Sequence, residues 1–458
     1  METSPDPDER PYFASSHLWP PLVTRIPEAR KPPNPPLPTD LCGPTPCRFL
    51  LPLRISEPES KAHMHFMEIL QLAQKLDRTL VLPNVGKSRM GACYKWEFET
   101  YYDLDKLESD LAVRSGRPIT MKRDLFRRWI DAEATSAQQV FLSEKQNAQQ
   151  NTDLPEFFNE DLSIRVGAND SSIDLPACFA KFHALNLNAH APLYIHPLPH
   201  AHAQASFMAP SIIDALTRSD IRAAAAAVQS TEPTVLVVTW DLRRPIFPSA
   251  PARLHYAPRL DALAAALAPP TPYAMVHWRT ESVPPANLPH CAHALVDVLA
   301  GLSLHGVRNV WFASDYPHAV HRSFPPGVDL GASAYTAMAN VKPGAFRDVG
   351  PLHAQAIGIF GDAFAVDGEL ERWTVAELTD ARLAAVAGEW DPVLLEDVGM
   401  REIVDKIIGV RAALFVSGAT GCMRTSSVSK QILDRRREVV SKLDGELPEL
   451  WNLVEFFG

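Results

Sequence analysis

A histidine, an arginine and a glutamate alternate at the end of an apolar run: Tyr273, Ala274, Met275 and Val276 lead into His277, Trp278, Arg279, Thr280 and Glu281. A strand sends every second side chain to one face, so the three are expected to leave a strand tip together. Open α/β sheets keep their ligands at such carboxyl ends. A guanidinium there suits an anion, because it is always charged and grips phosphate oxygens with two parallel hydrogen bonds. A second anion-seeking stretch, residues 417–427, follows the apolar Leu414, Phe415 and Val416 and ends in Thr425, Ser426 and Ser427. Val428, Ile432 and Leu433 then recur at helical spacing. A strand, a turn of small residues and a hydroxyl-capped helix present backbone amides to an anion, and a diphosphate is the natural guest.

Other chemistry-bearing residues read less sharply. Asp103 and Asp105 form the D-x-D pattern with which sugar-nucleotide enzymes hold a divalent metal. The stronger reading is a helix cap at Asp103, with Asp105 in the first turn at the favourable end of the helix dipole. Histidines 183, 190, 196, 200 and 202 fall among prolines without an i, i+4 ligand pair, so surface histidines are expected rather than a metal cluster. The six cysteines show no C-x-x-C pair and no framework spacing. Cys42 and Cys47 are near enough to bridge, and no disulfide framework is expected.

A chain of 458 residues, 46% hydrophobic and 21% charged, exceeds one ordinary core and points to two α/β domains. The formal charge of -10 argues against a broad polyanion surface, so no nucleic acid is expected as partner. There is no uninterrupted apolar stretch of membrane-spanning length and no signal-peptide order in the first thirty residues, so a soluble protein is expected.

The positioning elements follow from periodicity. Residues 1–46 are proline-crowded and read as a tail. Residues 48–53 read as a strand, with a loop over 54–60. Phe66, Ile69, Leu70, Ala73 and Leu76 make a helix, and residues 79–83 a parallel strand, which completes a right-handed βαβ unit. No G-x-G-x-x-G follows the first strand, so a dinucleotide site of that type is not expected. Residues 234–240 form a strand buried on both faces, expected to close the first sheet. Prolines 245, 248 and 251 mark the boundary between a first domain, 47–250, and a second, 251–458. In the second, the 273–278 run, a helix over 293–302, a strand over 310–315, a helix over 402–408 and a strand over 414–416 continue the α/β alternation.

Together, His277-Trp278-Arg279 after a strand, Trp311-Phe312-Ala313-Ser314-Asp315, and Asp405 followed by a strand, Ser426-Ser427 and Arg435 resemble the GDP-fucose protein O-fucosyltransferase family in a divergent fungal-type form. The Leu76-Asp77-Arg78-Thr79-Leu80-Val81-Leu82-Pro83 segment and the aromatic stretch 96–107 also match. The resemblance implies an α/β fold of two Rossmann-like domains facing across a cleft, a GT-B-type glycosyltransferase architecture. It implies an inverting, metal-independent transfer of fucose from GDP-fucose to a Ser or Thr hydroxyl of a protein acceptor. Arg279 would grip the β-phosphate and leaving oxygen, His277 would line the nucleotide site, and Asp405 would meet the guanine edge. Thr425, Ser426 and Ser427 would hold the phosphates. Glu57, ahead of Glu59, is the candidate base, although two solvated loop acids are the blander reading. Another nucleotide sugar or a glycan acceptor, or a scaffold that binds nucleotide sugar without turnover, are the alternatives. The family works in the secretory lumen, whereas no signal or anchor is visible. The loop at 54–59, the longer turn before Ser426, and Val428 in place of an aromatic depart from the family pattern.

Overall fold

The computed structural model describes residues 46–111, 119–132, 135–144, 155–167, 182–198, 208–226, 232–248, 253–316, 320, 349–386, 388, 390–424, 426–442 and 450–458. The expected tail, save Pro46, lies outside them, as do His200, His202 and Thr425.

The first half runs β1 (Phe49–Ile55), α1 (Glu59–Lys75), β2 (Thr79–Val81), β3 (Asn84–Gly86), β4 (Arg89–Gly91), α2 (Leu104–Leu111), β5 (Thr120–Met121), α3 (Arg123–Ala132) and β6 (Thr135–Ser143). It continues through β7 (Glu156–Phe158), β8 (Leu162–Val166), β9 (Leu185–Asn186), β10 (Leu193–Pro197), α4 (Ala209–Thr217), α5 (Ser219–Ala225), β11 (Val235–Asp241) and α6 (Pro258–Leu267). The second half runs β12 (Tyr273–Trp278), α7 (Leu288–Leu302), β13 (Asn309–Ser314), α8 (Pro351–Ala363), β14 (Thr374–Ala376), α9 (Asp380–Val386), α10 (Pro392–Leu395), α11 (Val398–Arg411), β15 (Leu414–Gly418), α12 (Ser427–Lys442) and β16 (Glu455–Phe457).

The expected α/β class holds. An eleven-stranded sheet follows the order β3-β4-β1-β11-β6-β10-β8-β7, and a five-stranded parallel sheet the order β14-β13-β12-β15-β16. β1 pairs in parallel with β2 across α1, so the βαβ unit is present. β11 is buried as expected, but it lies between β1 and β6 and does not close the sheet. The sheet extends past it because the 108–230 segment, with little periodicity, supplies β6, β8 and β10. In β6 the buried Gln138 and Gln139 interrupt the apolar run that would have announced a strand.

β12 is the central strand of the second sheet, paired on both sides and buried at all six positions, which is why Tyr273 to Val276 read as an unbroken apolar run. Its alternate residues divide two cores. Ala274, Val276 and Trp278 pack with α7 and α8, while Tyr273 and Met275 join the larger core that runs through α11 and α6 into the first sheet. His277 follows the Tyr273 and Met275 side by strand alternation.

The amino end of α11 is pressed against the β3–β4 hairpin. Asp397 caps the helix by accepting from the Gly399 and Met400 amides, and also accepts from the Lys87 amide and the Tyr101 hydroxyl. A Cβ at Gly399 would stand 2.6 Å from the Ser88 nitrogen, so only glycine permits this approach. No helix among the described residues is long and apolar enough to cross a membrane.

The cysteines overturn one expectation. All four described cysteines are disulfide-bonded, and Cys291 on α7 pairs with Cys422 across 131 residues of sequence. Such a pairing depends on tertiary proximity, to which local spacing is blind. Two expected surface histidines are also buried: His190 and His196 are 5% and 2% exposed, and burial lowers the pKa of both. The Asp103 side chain accepts from the Lys106 amide, which makes it the cap of α2.

Candidate functional site

A cavity of about 470 Å³ opens where the carboxyl ends of β1, β12 and β13 meet the beginning of α12. Glu57, His277, Arg279, Asp405, Ser426 and Ser427 all line it. Six of the seven residues singled out in the sequence therefore converge, and the seventh, Thr425, lies outside the described residues.

His277 is 7% exposed, and its Nδ1 is 2.8 Å from Ser429 Oγ, one turn into α12. Burial, reinforced by the charges of Arg279 and Lys406, lowers its pKa to about 3. The imidazole is neutral at physiological pH, which suits a hydrogen-bonding wall better than a proton store.

Arg279 stands one residue past the strand, and here the structure departs from the expected alternation. β12 stops at Trp278 and residues 280–282 turn into a 3-10 helix, so Glu281 is carried off the shared face. The cause is Asp315 at the end of β13. Its carboxylate accepts from the Thr280 amide at 2.7 Å, the Thr280 hydroxyl at 2.9 Å and the Glu281 amide at 3.2 Å. Arg279 is held loosely, 3.8 Å from Asp315 and 3.6 Å from Glu281, with its side chain 42% exposed. A guanidinium positioned by its backbone and weakly paired retains donors for a ligand. Burial raises the Asp315 pKa, an effect that the Thr280 bonds and Arg279 only partly oppose.

Ser426 caps α12: its Oγ accepts from the Val428 amide at 3.2 Å and the Ser429 amide at 3.4 Å. Two amides expected to be open to an anion are thus already engaged, although weakly. Ser427 Oγ lies 2.7 Å from Ser60 Oγ on α1, and this pair joins the first half of the chain to the helix terminus. Asp405, on α11, accepts from the Trp311 indole at 2.8 Å while lining the cavity.

The two candidate acids differ completely: Glu57 stays in the loop with its side chain 14% exposed, whereas Glu59 belongs to α1. β1 extends to Ile55 and α1 begins at Glu59, so the expected loop shrinks to residues 56–58. Glu57 lines the cavity, with Oε2 3.2 Å from Lys61 Nζ. Glu59 is wholly buried, ion-paired with Lys406 on α11, and accepts from the Tyr102 hydroxyl at 2.8 Å and the Tyr256 hydroxyl at 3.3 Å. Burial pushes the Glu59 carboxyl up, but Lys406, aided by His63 and Tyr102, more than offsets this and leaves it below its usual range. A carboxylate so placed is structural. Arg435 lines a separate cavity of about 590 Å³ and donates to the Leu254 carbonyl. Sequence reasoning gave Asp315 and Lys406 no role of their own and weighed Glu59 only as a second candidate base, not as half of a buried ion pair. Pro58 before a helical run was the available signal for Glu59.

No family model matches the chain, and no curated protein matches it. Solved structures to which it is similar include the apo form of POFUT1 in crystal-form-I, at 14% identity and a TM-score of 0.45, covering 90% of this chain and 99% of that one. The complex of POFUT1 with GDP-fucose in the same crystal form has 14% identity, a TM-score of 0.45, and coverage of 90% and 98%. The complex with GDP in crystal-form-III has 14% identity, a TM-score of 0.42, and coverage of 90% and 99%. Likenesses of this size carry no argument of their own, and the fold rests on the two sheets described above.

Proposed function

We propose that the chain is an inverting glycosyltransferase that moves fucose from GDP-fucose to a Ser or Thr hydroxyl of a protein acceptor. The observation that carries this reading is the gathering of Arg279, His277, Asp405, Ser426 and Ser427 around one cavity at the carboxyl ends of parallel strands. The motif resemblance supplies the choice of donor. In the proposed reaction the acceptor oxygen attacks the anomeric carbon from the face opposite the diphosphate. The carbon–oxygen bond to the β-phosphate breaks, and its electron pair leaves with GDP.

Charge therefore accumulates on the β-phosphate, where Arg279 donates its N–H groups and the positive end of α12 adds its field. These groups supply the stabilisation, so no resident metal is part of the proposal. Neutral His277 and the hydroxyl of Ser427 orient the phosphates, and Asp405 accepts from the guanine edge. The acceptor proton passes to Glu57, a carboxylate lining the same cavity just past the end of β1, and then to solvent. The test is incubation with GDP-fucose and a mixture of Ser/Thr-bearing folded domains, with GDP release as the signal. The absence of both GDP binding at millimolar concentration and GDP release refutes the proposal, and competition among GDP, UDP and ADP checks the base.

A further inference from the structure

The turn between β15 and α12 is fastened to the strand tip that carries Arg279. The Trp278 indole, fully buried, donates to the Cys422 carbonyl at 3.2 Å. The Ser282 hydroxyl donates to the Arg279 carbonyl at 2.9 Å and accepts from the Arg424 amide at 3.4 Å. Asn287, just before α7, donates to the Gly421 carbonyl at 3.3 Å. The bonds that reach the turn are single and 3.2–3.4 Å long, so of modest strength. The strong link is covalent: Cys422 lies four residues before Ser426 and is bonded to Cys291 on α7, with both sulfurs in the second core. The turn also folds tightly on its own strand, because a Cβ at Gly418 would stand 2.7 Å from Met423 Cβ.

We propose that the Cys291–Cys422 disulfide is a positioning device for the nucleotide site. It holds the 419–424 turn against Trp278 and Ser282, so that the Arg279 guanidinium and the start of α12 face one nucleoside diphosphate. This inference rests on the donor reading above. Its consequence is geometric: without the bond, the strand tip and the helix start move independently, and the diphosphate loses simultaneous contact with both. A bond serving stability alone would loosen the second sheet as a whole, without singling out this turn.

The test uses the full chain carrying Cys291→Ala and Cys422→Ala, which leaves the bonds of Cys47 and Cys93 in place. Circular dichroism should match the wild type. Amide hydrogen exchange should rise at least tenfold in peptides covering residues 419–424 and 427–430, but not in β13 or β14 of the same sheet, and the GDP dissociation constant should rise at least tenfold. Unchanged exchange in that segment, or an equal rise throughout the second sheet, overturns the proposal. Where the double variant fails to fold, Cys291→Val with Cys422→Ala decides, since it removes the same bond and refills part of the apolar volume of the second core. The same rise in exchange at 419–424 and the same weakening of GDP are expected, and no change in either overturns the proposal. A wild type that does not bind GDP refutes the donor reading, and the exchange measurement then judges the positioning by itself.

Discussion

Lys406 and Glu59 form an ion pair with 2% and 0% side-chain exposure, joining α11 of the second half to α1 of the first, and its removal has a calculable price. In Lys406→Met the carboxylate keeps only the Tyr102 and Tyr256 hydroxyls. Its escape from an unpaired buried charge is to take a proton. From an ordinary pKa of 4.5, protonation at pH 7 costs about 3.4 kcal/mol, two and a half pH units at about 1.36 kcal/mol each. That lies within the roughly 3–5 kcal/mol typical of breaking a buried pair. Glu59→Gln should cost less, about 1–2 kcal/mol, because Lys406 retains Glu402 at 3.3 Å. The sign of the pH dependence is the sharper test. In the wild type the Glu59 pKa is lowered, so its contribution is present above the usual Glu range and fades as pH falls through the folded value. In Lys406→Met the carboxyl is raised instead, so its cost is greatest at high pH and shrinks on acidification. Between pH 7 and 5 the stability gap between wild type and variant should narrow by up to about 2.7 kcal/mol. Urea unfolding followed by tryptophan fluorescence at both pH values measures it. A gap independent of pH, or a Glu59→Gln variant less stable than Lys406→Met, refutes the reasoning.

Arg279→Ala should lower kcat by about 10²–10³-fold, as expected when a donor to developing charge is removed, and Arg279→Lys should fall between; steady-state GDP release measures both. Asp315→Asn retains one acceptor for the 280–282 turn but loses the carboxylate charge, and should reduce kcat/KM about tenfold with little change in melting temperature. His277, at about 3 when folded against 6.5 when unfolded, resists a proton that the unfolded chain accepts. Stability should therefore decline by about 2 kcal/mol between pH 7 and 5 through this residue, and His277→Gln should remove that part of the slope in parallel urea titrations.

The elements that position the cavity were readable because each carries its own period. β12 opens with a four-residue apolar run since both neighbours bury it, and α1 shows Phe66, Ile69, Leu70 and Ala73 on one stripe. The convergence of Arg279 with Ser427 was readable because strand tips and helix starts are places that sequence marks. What escaped depends on partners distant in the chain. Asp315 bends the chain at Thr280 from a different strand, which no alternation at 277–281 could announce. Glu59 resembles a loop acid until Lys406, 347 residues later, is brought against it. Arg436 falls in a basic run that suggests a solvated face, yet it is fully buried and donates to the Gly409 and Ala412 carbonyls near the end of α11.

The Cys291–Cys422 bond also bears on how the chain is made. A ribosome that has delivered Cys291 must add 131 residues before its partner exists. Throughout that interval the thiol is available to mixed disulfides and to the earlier cysteines. Strands β1 to β11 are already synthesised by then, so the first sheet can be assembled while the turn that fastens the second is still unmade. Correct pairing thus becomes a late event of biosynthesis, dependent on an oxidant and on thiol exchange to release earlier partners. Production in a host compartment that keeps thiols reduced should yield a chain with its first sheet formed and this fastening absent.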